Sequence, residues 1–149
     1  MKRIVLAGLL NLVALPGPAP AQQPSPYKLT SIERLAKDLN LSSSLKIEQI
    51  AKQANVAAGI DFWEVEENLR NFSRSVRKFR FSPQARADLI REFGVLGKDM
   101  SDFFENQHTF PEAWDKVVDA IKSQQSFERA EAIAEAFGIN RSMMRVIRD

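Results

Sequence analysis

The stretch Asp61–Arg80, DFWEVEENLRNFSRSVRKFR, decides how this chain folds. Its residues Phe62, Val65, Leu69, Phe72, Val76 and Phe79 recur at spacings of 3, 4, 3, 4 and 3, which lays them along one side of a helix. A strand would alternate every second residue instead. Burying each such side chain is worth roughly 1.5–3 kcal/mol before the entropy of ordering it is subtracted, so the seam must face something. It suits either the chain's own core or a second copy. Fewer than three heptads is short for a coiled coil, and the expectation is the core helix of a monomer.

Working outward, the punctuation is helical. Asp61 with Glu64 has the spacing of a capping box, with Ile60 and Val65 placed to staple the start of the helix. Thr30–Glu33 and Thr109–Glu112 repeat that spacing. Ser82-Pro83 places a cap before a first-turn proline, and Ser42–Ser44, Ser126 and Asn140 offer further starts. Asn40-Leu41, Gly59-Ile60, Gly94-Val95 and Gly138-Ile139 each set a residue tolerant of positive φ before an apolar one, the sequence of a Schellman stop. These signals predict an all-α fold, a compact bundle of about six or seven short helices forming a single helical domain over 29–149. Residues 22–28, with Pro24 and Pro26, are expected to be an extended leader. Ile32–Ser44 and Ala130–Ser142 look alike mainly at their ends, which reads as reuse of one stop rather than an internal repeat.

The first 21 residues have the make-up of a cleavable signal peptide. Lys2 and Arg3 precede the 12-residue apolar run Ile4–Leu15, then Pro16-Gly17 and Ala19-Pro20-Ala21 supply a break and a small-x-small cleavage pattern. The run is too short for a bilayer span of about 20 residues. Cleavage is expected after Ala21. Losing Lys2 and Arg3 reduces the 21 basic residues to 19, equal to the 19 acids. The net charge of +2 therefore gives no argument for nucleic acid or an anionic membrane. The chain has no cysteine, which excludes disulfides and thiolate chemistry and favours a bacterial periplasmic or secreted setting over a disulfide-rich animal one. No further apolar run is long enough for a membrane span.

The candidate site lies on the same helix as the seam. Trp63 sits about 100° round from Phe62. From it Glu67, Arg70, Arg74 and Arg77 follow at spacings of 4, 3, 4 and 3. Between Arg70 and Arg91 there are seven basic residues and one acid, Asp88. Helix polarity explains part of this, since cations favour a helix C-terminus. Trp63 either packs under the preceding helix beside solvated arginines, or forms with Arg70, Arg74 and Arg77 a docking surface for another protein, because Trp and Arg dominate binding hot spots.

No catalytic, cofactor or metal site is legible. The lone His108 precedes the Thr109 cap without a nucleophile motif, and reads as a loop residue. Phe103-Phe104 and Trp114 read as core. Ala130–Ile147, with Phe137-Gly138-Ile139 and then Arg141, Arg145 and Arg148, resembles the helix-turn-helix segment of DNA-binding proteins. That resemblance implies DNA binding only if the N-terminus is not an export signal. The expectation is an exported, non-enzymatic helical protein that acts by binding another protein, with no cofactor and no nucleic acid. The alternatives are an exported hydrolase with a carboxylate site, or a helix-turn-helix DNA-binding protein.

Overall fold

Eight helices and no strand make up the described residues of the computed structural model, which are 26–149. They are α1 Pro26–Asp38, α2 Leu45–Ala58, α3 Phe62–Phe81, α4 Pro83–Phe93, α5 Val95–Glu105, α6 Phe110–Lys122, α7 Phe127–Ala136 and α8 Arg141–Arg148. The expected signal peptide and its cleavage point lie outside the described residues. Ile32–Asp149 forms one unit with its own core.

The all-helical fold agrees with the sequence, but the number of helices exceeds the expected six or seven. The additional helix is α5, and the cause is Gly94. Its φ of 63° has the expected sign, but its ψ of −128° directs the chain straight into α5 instead of folding back in a Schellman turn. Val95, the apolar residue of that expected stop, does not fold back on the helix and is 89% exposed. The other three stops behave as their sequences imply. Ile139 N–H reaches the Ala134 carbonyl at 2.8 Å and Leu41 N–H the Ala36 carbonyl at 2.8 Å, while Gly59 N–H bonds the Asn55 carbonyl at 2.8 Å. Ile60 and Ile139 are buried behind them.

The starts agree in the same selective way. Oxygens of Asp61, Ser82, Ser126 and Asn140 each accept the N–H three residues on, at 3.0–3.1 Å. Thr109–Glu112 makes the full reciprocal box. Thr30 does not start a helix: α1 begins at Pro26, within the stretch expected to be extended, and a proline suits a first helical position because it has no N–H to orphan. The Asp61 box is half made, because Glu64 Oε2 accepts from Asn140 Nδ2 at 3.0 Å instead of returning to Asp61. Buried Asn68 completes that connection. Its Nδ2 donates to the Glu64 carbonyl at 2.8 Å and its Oδ1 accepts from Asn140 N–H at 2.7 Å, which pins the start of α8 to α3.

The seam of α3 is core. Val65, Leu69, Phe72 and Phe79 are buried, and Phe62 and Val76 pack against the same core. Helix α3 contacts α2, α4 and α5. Phe72 reaches α6 as well, with its ring 5.0 Å from Trp114 and 5.6 Å from Phe110 in edge-to-face pairs. Phe137, just past α7, lies 4.9 Å from Phe79 and 5.3 Å from Phe104. Phe104 and Trp114 are core residues, as their sequence context implies.

Candidate functional site

The packing that buries Val65, Leu69 and Phe72 turns Trp63 outward. Its side chain is 70% exposed, so it does not pack under α2. Trp63, Arg70 and Arg74 line one open, shallow groove on α3, together with Glu66, Glu67 and Asn71. Arg77 is not part of it. One turn further on, Arg77 faces a different cleft.

Arg70 is a strut. It donates to Glu66 Oε2 through Nη2 at 2.8 Å and Nε at 3.1 Å, and its Nη1 lies 2.9 Å from Asp38 Oδ2 at the end of α1. The hydrogen bond that Arg70 donates to Glu66 dominates in raising the guanidinium pKa above its ordinary value; partial burial opposes the shift and Asp38 reinforces it. Its donors are thus committed within the chain. Arg74 is exposed and donates to Asn71 Oδ1. Beyond Arg74 the basic segment has largely structural employment. Arg86 donates to the carbonyls of Phe79 and Arg80 at 2.9 Å, closing the C-terminus of α3. Lys78 lies over the Phe79 ring and Arg91 pairs with Asp88.

The second cleft, of about 340 Å³, lies between α3 and the connection from α5 to α6 and reaches the end of α1. Arg77, Arg80, Phe81, His108, Phe110 and Glu112 are among its lining residues. His108 lies flat on Phe103, with ring centroids 3.7 Å apart and planes 3° from parallel, and its Nδ1 is 3.8 Å from Glu112 Oε1. Glu112 accepts from Thr109 N–H at 2.9 Å and from the Thr109 hydroxyl at 3.1 Å. The Thr109 backbone bond, then its hydroxyl, hold the Glu112 carboxyl below the usual carboxylate range. A depressed folded pKa means that the capping box contributes stability above the ordinary carboxylate pKa, and that this contribution is lost as pH falls through the folded value. Thr109→Ala is expected to raise the Glu112 titration midpoint towards the ordinary carboxylate value, read by carboxyl-carbon NMR. An unmoved midpoint would contradict the box.

Sequence reasoning missed this cleft. It joins 39–40, 73–81 and 104–113, and the unbroken polar run Asn106-Gln107-His108-Thr109 between two helices was the available signal.

The segment resembling a helix-turn-helix does form two helices about a Schellman turn at Gly138. Its arginines, however, are engaged internally. Arg141 pairs with Glu131 at 2.6 Å, and Arg148 donates to the Ser126 and Gln124 carbonyls at 3.2 and 3.3 Å. Arg141 and Arg145 both lie over the Phe127 ring. Among the described residues no three His, Asp or Glu side chains gather as a metal site, and no helix is long and apolar enough to cross a membrane. No family model matches the chain, and no curated protein or solved structure matches it significantly.

Proposed function

We propose that this chain is an exported α-helical binding module that docks another protein through the Trp63–Arg74 face of α3 and performs no chemistry of its own. The exposure of Trp63 carries this reading. A 70% exposed indole on a helix whose opposite side is packed by Val65, Leu69 and Phe72 is presented from a fixed backbone, so a partner gains its burial without having to order the helix. Arg74 adds an exposed cation in the same groove, and Arg70 holds that groove's wall in place through Glu66 and Asp38. Export is supported by the charged, apolar and small-residue order of residues 1–21 and by the lack of cysteine.

The two alternatives find less support. A hydrolase of the expected kind needs two facing carboxylates, whereas the cleft beside α6 is lined by one, Glu112, already bonded to Thr109. A DNA reader needs arginines free to reach bases, and Arg141 and Arg148 are tied to their own chain.

Affinity capture from cell-envelope extract tests the reading, with wild-type protein beside a Trp63→Ala/Arg74→Glu variant of unchanged circular dichroism. A protein retained by wild type and lost by the variant is the expected result. Equal retention by both, or by neither, would remove the Trp63 face as the site. Intact mass of the protein recovered from the envelope checks export separately, with Gln22 as the expected first residue.

A further inference from the structure

We propose that the cleft between α3 and the α5–α6 connection is a separate ligand site, which takes a small oxyanion carried on an apolar body. The starting observation is Arg77. Of the seven basic residues from Arg70 to Arg91, six are paired: with carboxylates, with amide or backbone oxygens, or with aromatic rings. Arg77 is the exception among the described residues. It has neither hydrogen bond, ion pair nor ring contact, although it lines a concavity. A planar guanidinium with its fork of donors unspent suits bidentate capture of a carboxylate or phosphate.

The surroundings favour an anion. Arg80 lines the same cleft one turn on. Its guanidinium is steered by the Gln107 amide oxygen at 3.1 Å and lies 4.7 Å over the Phe81 ring, which leaves further N–H donors uncommitted. Two guanidinium groups thus face one carboxylate, and that carboxylate is already engaged. Glu112 accepts two hydrogen bonds from Thr109 at the positive start of α6, so its charge is offset locally and opposes an incoming anion less.

The remaining walls call for an apolar body on the anion. Phe81, 66% exposed at the end of α3, gives the cleft an accessible aromatic wall. Val76, Phe110 and Leu39 are partly buried in the same lining. His108 forms a fixed rim because its ring is stacked on Phe103. The cleft's volume of about 340 Å³ falls within the range typical of small-molecule pockets, and it lies apart from the Trp63 groove. Carboxylate and phosphate share this recognition chemistry, and the probes below separate them.

The test is a titration of the isotope-labelled protein followed by amide NMR, with 3-phenylpropionate and phenyl phosphate as probes and uncharged 3-phenylpropanamide and inorganic phosphate as comparators. The expected result is saturable shifts at Arg77, Phe81 and His108 for at least one aryl anion, and none with either comparator over the same range. The stronger aryl probe names the oxyanion. Arg77→Gln should weaken that binding about tenfold or more, as loss of a charged hydrogen bond does. Its spectrum away from the cleft should be unchanged, because Arg77 has no partner to lose. Phe81→Ala should weaken it independently. The proposal is overturned if the amide binds as well as the acid, if inorganic phosphate binds as well as the aryl anions, or if the shifts fall on the Trp63 groove. It is overturned equally if Arg77→Gln leaves affinity unchanged or no probe binds.

Discussion

Gly97→Ala is expected to destabilise the fold by about 3 kcal/mol or more, lowering the thermal midpoint by roughly 10 °C in a domain of this size. A Cβ at Gly97 would overlap the Leu89 carbonyl oxygen and lie 2.6 Å from its carbon and 2.9 Å from Ile90 Cα. All three atoms are backbone, so no side chain can swing aside. Helices α4 and α5 are joined through Gly94 alone, and their backbones approach closely enough that only hydrogen fits at position 97. Gly59→Ala is the control. Gly59 has φ +68° and nothing within 4 Å of its added Cβ, so that change carries left-handed strain of about 1–2 kcal/mol and no clash. Calorimetry on the two variants separates steric contact from backbone strain. A Gly97→Ala protein as stable as Gly59→Ala would mean that α4 and α5 do not meet as described.

Local chemistry explains which parts of the fold were legible. The seam of α3 was readable because periodicity and burial have a common cause: residues 3 and 4 apart share a helix face. Asp61, Ser82, Thr109, Ser126 and Asn140 were readable as caps because each acts on N–H groups within its own turn. The failures occur where one residue type serves two geometries. Gly94 was readable as a positive-φ residue, but its ψ, which decides between a reversal and a direct run into α5, leaves no mark on the sequence. Thr30-Ser31-Ile32-Glu33 has the spacing of a start, yet Pro26 upstream begins the helix earlier.

The candidate site was less legible because its members depend on distant partners. Trp63, set about 100° from the seam, lies at a boundary where the placement of neighbouring helices decides exposure. Arg70 and Arg74 share a helix face, but Asp38 on α1 takes Arg70 out of service. Arg77 continues the same stripe in sequence, yet opens onto a cleft whose other walls come from Leu39 and from the loop around His108. Helical spacing identifies a stripe; the tertiary packing divides it into a strut, an exposed groove and an unpartnered cation.

Phe72→Ala is the second change expected to have a large effect, about 3–5 kcal/mol. Phe72 is fully buried on α3, with its ring centroid 5.0 Å from Trp114, 5.6 Å from Phe110 and 6.0 Å from Phe137. Truncation removes three aromatic contacts and leaves a cavity against α6 that rigid helices cannot fully close. The two tryptophans make the measurement specific. Trp114 is 4% exposed and Trp63 is 70% exposed, so in a Trp63→Phe background the fluorescence reports the core alone. Denaturant unfolding followed at Trp114 should show a markedly lower midpoint for Phe72→Ala. Trp63→Phe itself should move stability by no more than about 0.5 kcal/mol, as surface changes generally do. The contrast separates the two sides of α3: Phe72 holds the helix in the bundle, while Trp63 faces solvent. A Phe72→Ala loss as small as that of Trp63→Phe would place the centre of the core elsewhere and remove the rigid support on which the Trp63 groove and the Arg77 cleft both depend.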